Sequence, residues 1–374
     1  QPVDATGVFA GARLLLARPW QQPGLPLAAE RWRAMSEADL AVQHAAILRV
    51  LGELARPRFT APWPAREDDR PNPDSPEAWR ACAVWIGREV IARGRRDAEG
   101  LGWHGATPLP ALRACALHDG ALGPALLLSA LAWAKAGPEF PAAAREALSP
   151  VTARWAAAGD DGSLPIGATT GLAGIAYGLG LAATLLEDAP LFETALAVAR
   201  AITPARIAAD PHLDLVAGAA GATLALLALF HARPEPWLAA AAIRCGDHLL
   251  AAEDIAAPGT WRAPAGYAYS GFAHGIAGIA AALARLAGVT GLDRFHDAAA
   301  RAFARLAATR AGATAWPLAF RPERPGAGRE LPSMTAWCHG APGITLALLA
   351  APDPVRDAAW RAELEAAVTA SASV

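Results

Sequence analysis

Runs of small and apolar residues alternate along this chain with runs in which charged residues return at helical spacing. The first kind, for example residues 125–133, is apolar nearly all round, which predicts a helix that is buried on every side. The second kind, for example residues 292–308, carries charged residues on one face, which predicts a helix that can face water. Each apolar run and the charged run that follows it are therefore typical of a helical hairpin.

A Gly-x-x-Gly pair opens five of the apolar runs. The pairs are Gly120/Gly123, Gly171/Gly174, Gly218/Gly221, Gly275/Gly278 and Gly340/Gly343. Their first glycines recur at similar intervals along the chain, which indicates a repeat architecture. We predict an all-α fold, an α/α toroid in which an inner layer of helices is wrapped by an outer layer. No alternating β-branched run is long enough to predict strands.

A proline-rich stretch divides the chain. Residues 56–76 hold six prolines and eight charged residues, a density that prevents regular helix and predicts a linker. Residues 37–54 before it read as a helix capped by Ser36, and helices resume near Glu77. The predicted organisation is an N-terminal segment at 1–55, a linker at 56–76 and a helical domain at 77–374.

Composition narrows the classes of function. The chain has 374 residues, 54% of them hydrophobic, which is enough to bury a large core. Lys+Arg 33 against Asp+Glu 35 leaves a formal charge of −2, so nothing indicates binding to nucleic acid or to an anionic membrane. The four cysteines, Cys82, Cys115, Cys245 and Cys338, are scattered without a CxxC pair, which favours a reducing compartment over a disulfide framework.

Residues 163–186 are uncharged and long enough to span a bilayer. They also contain Pro165 and five glycines, and they recur in register with apolar runs that polar residues interrupt. A buried inner helix is therefore the better interpretation. Residues 1–10 lack the basic and apolar pattern of a signal peptide, so we expect a soluble, cytoplasmic protein without a membrane span.

The residues just before each first glycine should meet at one end of the ring, because every inner helix begins there. They are His118-Asp119, Thr169-Thr170, Val216-Ala217, Ala273-His274 and Cys338-His339. Converging helix N-termini favour an anion, such as a thiolate or an enolate, and lower the pKa of a cysteine. For Asp119, Thr169 and Thr170, helix capping is the better explanation.

Cys338 and His339 offer the thiolate and imidazole ligands that zinc prefers. Inert packing is the alternative for a single cysteine, and we expect it for Cys82, Cys115 and Cys245. His274 could equally be a hydrogen-bonded histidine of the core.

Three ordered motifs in the same repeat register resemble the LanC-like lanthipeptide cyclases. They are Leu-Asp-Leu-Val-Ala-Gly-Ala-Ala-Gly at 213–221, Gly-Phe-Ala-His-Gly-Ile-Ala-Gly-Ile at 271–279 and Trp-Cys-His-Gly-Ala-Pro-Gly-Ile at 337–344. Residues 33–43 also resemble the stretch between dehydratase and cyclase in class II lanthipeptide synthetases. The likeness covers residues 31–374 and implies that residues 1–55 are the tail of a dehydratase-like domain.

The resemblance implies a zinc ion at the mouth of the toroid and a cyclase activity. In that family a peptide cysteine thiolate adds to dehydroalanine or dehydrobutyrine and closes a (methyl)lanthionine thioether ring. Cys338 matches a zinc cysteine, Trp337 the tryptophan before it, and His339 a position that is Tyr or His in the family. His274 matches the histidine that acts as acid or base, and Asp214 the aspartate that orients it or assists proton transfer.

The family's final Cys-His-Gly motif, which carries the second zinc cysteine and the zinc histidine, has no match before Val374. The resemblance therefore implies that the last repeat is missing. It also implies that zinc binds weakly or not at all, with Cys338 as the one matched ligand and His339 as a further candidate. The partners that it implies are a precursor peptide with a leader and a dehydrated core, and a dehydratase domain upstream in the full-length chain.

Two other functions also fit the fold. One is a non-catalytic toroid that binds a peptide and has a degenerate metal site. The other is a different α/α-barrel enzyme, such as a glycosidase, which needs two carboxylates that face each other across a cleft. Asp119 and Asp214 are the carboxylates that the repeat places at the mouth, and no motif supports them as such a pair.

Overall fold

A computed structural model describes three short strands near the N-terminus and most of the chain after residue 74. The described residues are 3–4, 7–10, 13–17, 75–103, 112–263, 266–310, 315–323, 334, 336–350 and 358–372. The predicted helix at 37–54, its cap Ser36 and nearly all of the predicted linker lie outside these residues. The predicted boundaries and the dehydratase-like origin of residues 1–55 stay predictions.

The described part of the chain is mostly helical, as the apolar pattern predicts. Its strands are β1 (Val3–Asp4), β2 (Gly7–Ala10), β3 (Arg13–Ala17), β4 (Arg95–Arg96), β5 (Leu101–Gly102), β6 (Ala268–Tyr269) and β7 (Ala319–Phe320). Its helices are α1 (Pro76–Arg93), α2 (Leu122–Trp133), α3 (Phe140–Ala158), α4 (Leu172–Leu186), α5 (Ala189–Arg200), α6 (Pro204–Ala208), α7 (Ala219–Ala232), α8 (Pro236–Ala251), α9 (Ile276–Thr290), α10 (Asp293–Ala308), α11 (Ala341–Leu349) and α12 (Ala358–Ala372).

Within the described residues, five hairpins build the helical unit, one for each Gly-x-x-Gly pair. In each hairpin the inner helix packs on the outer helix that follows it: α2 on α3, α4 on α5, α7 on α8, α9 on α10 and α11 on α12. Successive inner helices also pack side by side, from α2 through α4, α7 and α9 to α11. The predicted double layer of helical hairpins is therefore confirmed.

Burial differs between the two layers as the sequence pattern requires. Inner helix α9 is buried along most of its length, from Ile276 to Ala287, because helices pack on several of its sides. Outer helix α10 buries one stripe only: Phe295, Ala298, Ala299, Ala302, Phe303 and Leu306. That spacing of three and four residues is the core-facing stripe of an amphipathic helix. Full burial of a side chain such as Phe295 stabilises the fold by about 1.5–3 kcal/mol.

Short strands are present where the sequence predicted none. Antiparallel pairs join β1 to β2 and β2 to β3, β4 to β5, and β6 to β7. Each strand has only two to five residues, which is too short for a period-two pattern to be visible. The β6–β7 pair matters for the site, because β6 ends directly before the loop that carries His274.

The chain divides into two compact units, Gln1–Pro62 with His104–Pro108, and Trp63–Trp103 with Leu109–Val374. All of the helices named above belong to the second unit. Its helix α1 begins at Pro76, and the side chain of Ser75 caps it by accepting a hydrogen bond from the backbone N–H of Ala78. Among the helices that the structure describes, none is both long and apolar enough to cross a membrane.

Candidate functional site

Backbone hydrogen bonds join the five loops that precede the inner helices. Along the row, the backbone N–H of His118 donates to the carbonyl of Thr169 (3.1 Å), Thr169 to Val216 (3.2 Å), Leu215 to Ala273 (3.2 Å) and Ala273 to Cys338 (3.1 Å). We call this row of bonds the loop ladder. It brings residues from five separate repeats to one end of the inner helices, as the repeat register predicts.

The second glycine of each pair allows the loop to fold back over the start of its helix. A Cβ atom on Gly278 would overlap the carbonyl oxygen of Phe272, and one on Gly343 would overlap that of Trp337. Because those carbonyls are backbone atoms, they cannot move aside as a flexible side chain would. These positions therefore require glycine for close approach rather than for an unusual backbone angle.

The first glycines Gly171, Gly218, Gly275 and Gly340 are themselves the N-cap residues of α4, α7, α9 and α11. The prediction that Asp119, Thr169 and Thr170 cap helices is wrong. Asp119 forms an ion pair with Arg113, and both threonine hydroxyls point to the carbonyl of Val216 in the next loop. The two threonines therefore hold neighbouring loops together, whereas the ion pair of Asp119 lies within one loop.

His274 and Asp214 form a hydrogen-bonded pair at the mouth. Nδ1 of His274 lies 2.8 Å from Oδ2 of Asp214, and Oδ1 of Asp214 accepts a hydrogen bond from the backbone N–H of Ala217 at 2.7 Å. The carboxylate side chain is 14% exposed and the imidazole 41% exposed. An aspartate held in this way orients the ring and leaves its Nε2 available to exchange a proton with a bound molecule. The two predicted residues are thus brought together.

Asp210 is a residue of the site region that the sequence reasoning missed. It is buried, and its carboxylate accepts hydrogen bonds from the backbone N–H groups of His212 (3.0 Å), Leu213 (3.1 Å) and Ala219 (2.8 Å). Leu213 has a left-handed φ of 61°, and it directly precedes Asp214. Asp210 therefore fixes the turn that presents Asp214. The signal in the sequence was Asp followed by Pro211, a pair that favours turns.

His339 stacks on His274. Their ring centroids are 5.3 Å apart at an interplanar angle of 25°, and the ring of Tyr269 lies 6.1 Å from His339 on a tilted plane. Nδ1 of His339 is buried and has no hydrogen-bond partner among the described residues. Burial lowers the pKa of His339 from its ordinary value of 6.5, and the neighbouring His274 lowers it further. His339 is thereby kept neutral near pH 7.

Trp337 and Phe272 form an aromatic pair beside the histidines. Their rings meet edge to face with centroids 6.4 Å apart, and Trp337 is 43% exposed. Large aromatic groups that stay partly exposed are common where a protein contacts a ligand. This pair therefore gives the mouth an apolar contact surface.

The four cysteines differ in their surroundings, and none forms a disulfide. Burial raises the pKa of the Cys245 thiol to about 12, and nearby Asp210 adds to the shift. Burial also raises the pKa of Cys115, although Arg154 opposes that shift. Both thiols are therefore inert near neutral pH. Cys338, at the mouth, is partly exposed.

The residues that the structure describes do not fit a complete zinc site. No group of three His, Cys, Asp or Glu side chains among them is placed to hold a metal ion. Cys338 is the only cysteine in the loop ladder, and Nδ1 of His274 already contacts Asp214. A catalytic zinc requires three protein ligands, so Cys338 and His339 alone do not make one.

The helical hairpins form a double layer, and a hydrogen-bonded histidine–aspartate pair lies where the inner helices begin. Together they define an α/α-toroid protein with this pair at its mouth. The chain belongs to the lanthionine synthetase C-like family, whose model matches residues 113–371. That match covers Asp214, His274 and Cys338, and it confirms the family that the three motifs predict.

A comparison with solved structures supports the same fold. The chain is similar to a protein described as nisin cyclase, with a TM-score of 0.51 and 17% sequence identity over 70% of each chain. At that identity the likeness shows the fold alone. A comparison with curated protein sequences found no match.

Proposed function

We propose that this chain forms thioether rings in a dehydrated precursor peptide, by adding the sulfur of a peptide cysteine to dehydroalanine or dehydrobutyrine. Membership of the lanthionine synthetase C-like family supports the class of reaction. The observation that carries the mechanism is the 2.8 Å contact between His274 and Asp214 at the mouth. The precursor peptide and an upstream dehydratase domain are the partners that this function calls for.

In the proposed mechanism, His274 moves one proton. The thiol proton of the peptide cysteine passes to Nε2 of His274, and the thiolate forms a C–S bond with the β-carbon of the dehydro residue. The electron pair of the broken π bond moves to the α-carbon side as an enolate, which then takes the proton back from His274. Asp214 stabilises the imidazolium between the two transfers. The reaction is an isomerisation, so no atom is lost.

The electrostatics of the mouth support the anionic states of this reaction. Helices α4, α7, α9 and α11 all begin at loops that the loop ladder joins, and each N-terminus carries roughly half a positive charge. Both the thiolate and the enolate are negative. Backbone N–H groups that are already oriented lower the energy of such charges without further rearrangement.

In this proposal Cys338 is the described residue that would bind zinc. Zinc would supply a second means of ionising a peptide thiol, and Cys338 carries the thiolate ligand that it prefers. The described residues do not complete a ligand set, so the mechanism above runs through His274 and Asp214 alone.

The glycosidase alternative has little support. Asp119 is occupied by its ion pair with Arg113, and Asp214 by its contact with His274. Each of these two carboxylates at the mouth therefore has a partner of its own. A peptide-binding protein without catalysis would use the same mouth but would have no need of an oriented acid/base pair.

The test is a cyclisation assay on a synthetic peptide with one dehydroalanine and one cysteine. Cyclisation does not change the mass, so the free thiol is trapped with N-ethylmaleimide and the unalkylated fraction is followed by mass spectrometry. We expect that fraction to rise faster with the chain than without it, and faster than with Asp214→Ala. A rate equal to the uncatalysed rate at saturating chain, with the peptide bound, would favour the peptide-binding alternative instead.

A further inference from the structure

A cavity of about 1200 Å³ lies among the inner helices below the mouth. Phe272 and Trp337 line it on the mouth side, and Gly288 and Val289, near the end of α9, line it on the opposite side. The path along α9 from Ile276 to Val289 is about 20 Å at 1.5 Å per residue. The cavity therefore extends from the candidate site along most of an inner helix.

The walls of this cavity are mainly apolar. Leucine and alanine side chains of α7 form much of the lining, including Leu224, Leu227 and Ala228. Among the described residues no acidic side chain lines it. An apolar ligand that binds in an open cavity of this kind covers leucine and alanine side chains from water, which favours binding.

Arg285 is an exposed arginine on the wall of this cavity. It lines the cavity and makes no hydrogen bond or ion pair with any residue that the structure describes. His231 also lines the cavity, in the last turn of α7. Arg285 lies in α9, five residues before that helix ends.

We propose that this cavity binds an apolar segment of the precursor peptide, and that Arg285 binds a carboxylate carried by that segment. The proposal rests on the proposed function, which supplies the peptide. A span of about 20 Å accommodates about six extended residues at roughly 3.3 Å each. The volume is larger than that of a typical small-molecule pocket, as a peptide segment requires. An arginine that is free of internal partners can make a two-point hydrogen bond to a carboxylate.

The test uses capped, fluorescently labelled peptides of six residues with alternating leucine and alanine. One ends in glutamate and a second in glutamine, both as amides, while a third ends in alanine with a free terminal carboxylate. None contains cysteine or a dehydro residue, so binding is measured without cyclisation. We expect either acidic peptide to bind the full chain about tenfold more tightly than the glutamine peptide. The stronger of the two acidic peptides identifies the source of the carboxylate.

Variants at two positions locate the binding site. Arg285→Gln should remove the tenfold preference for acid, and Arg285→Lys should restore part of it. Gly288→Leu should weaken binding of all three peptides by about tenfold, because its side chain takes up space that the bound segment needs. A Cβ on Gly288 meets no atom within 4 Å, so the first atom of the new side chain has room. Gly288→Ala is the matched control, and thermal melts of each variant verify folding.

The outcomes separate this proposal from the proposed function. Equal binding of acidic and glutamine peptides, or full binding by Gly288→Leu, would overturn the cavity proposal. If the chain forms thioether rings but binds none of the peptides, the cavity proposal fails and the proposed function stands. If it prefers the acidic peptides as expected but forms no ring, the proposed function fails and the cavity proposal stands.

Discussion

The imidazole rings of His274 and His339 stack although they belong to different repeats of the chain. His339 covers one face of the ring whose Nδ1 contacts Asp214, so His274 is held both from its edge and from its face. A ring held in this way loses little freedom when it transfers a proton, which favours catalysis.

Replacing His274 should abolish most of the catalysed reaction. We expect His274→Ala to lower the catalysed rate of thioether formation by about 10²- to 10⁴-fold, the usual contribution of a general acid or base. The thiol-trapping assay measures this rate. His296→Ala, on outer helix α10, is the matched control and should keep the wild-type rate. Equal rates for His274→Ala and the wild type would remove His274 from the mechanism.

Replacing Asp210 should mainly lower stability, whereas replacing Asp214 should mainly lower activity. Asp210→Ala leaves three backbone N–H groups without their acceptor, so we expect it to lower the free energy of unfolding by at least about 2 kcal/mol. Asp214→Ala loses only one such bond and should cost about 1 kcal/mol, while it removes most activity. Urea denaturation measures both. A larger loss of stability in Asp214→Ala would contradict the role given to Asp210.

Replacement by alanine at two glycines of α9 should change the free energy of unfolding in opposite directions. Gly278→Ala places a methyl group against the backbone carbonyl of Phe272, and we expect it to lower the free energy of unfolding by about 1–3 kcal/mol. Gly288→Ala meets open space inside a helix and should raise it by up to about 1 kcal/mol. Urea denaturation of the two variants is the measurement. Similar values for both would mean that the loop does not press on Gly278.

Cys245 should make the fold sensitive to alkali. Its pKa is about 12 in the folded chain against 9.0 as the ordinary value, so above pH 9 the unfolded chain loses this proton first and stability falls as the pH rises. Between pH 8 and pH 10.5 we expect a loss of about 2 kcal/mol from this thiol. Cys245→Ala should lack that part of the loss when urea denaturation is compared at the two pH values. An identical loss in the variant and the wild type would refute the assignment.

Zinc content tests the placement of Cys338. With one thiolate and one neighbouring imidazole among the described mouth residues, we expect less than one zinc per chain after dialysis. Atomic absorption is the measurement, and Cys338→Ala should lower any zinc that remains. One full equivalent in the wild-type chain would mean that Cys338 and His339 are the main binding pair.

The repeat made much of this architecture predictable. Five glycine pairs at similar spacing indicated the hairpins, and the common start of the inner helices placed Asp214, His274 and Cys338 at one end. The contact between Asp214 and His274 could not be derived from spacing, because it depends on the φ of 61° at Leu213 and on the buried carboxylate of Asp210. Such features depend on tertiary contacts rather than on local pattern.

Other parts of the site could not be predicted from the sequence for a different reason. The β6–β7 pair joins residues 268–269 to 319–320, and two-residue strands leave no periodic signal. Thr169 and Thr170 have the chemistry of helix caps, but glycine takes the N-cap of α4 and their hydroxyls reach the next loop. The preference of threonine for helix caps was outweighed here by hydrogen bonds to the adjacent repeat.

The loop ladder consists of backbone hydrogen bonds between neighbouring repeats, so it depends little on which side chains the loops carry. The repeats differ in length, yet the ladder joins every pair of adjacent loops. The extra length lies in the connections from an outer helix to the next inner helix, where 252–275 and 309–340 are longer than 159–171. Chain length can therefore change in these connections while the mouth keeps its geometry. New side chains can be introduced at residues such as His118 or Val216, which join the ladder through backbone atoms, without rebuilding the scaffold. This end of the fold is therefore a natural place for chemistry to diversify.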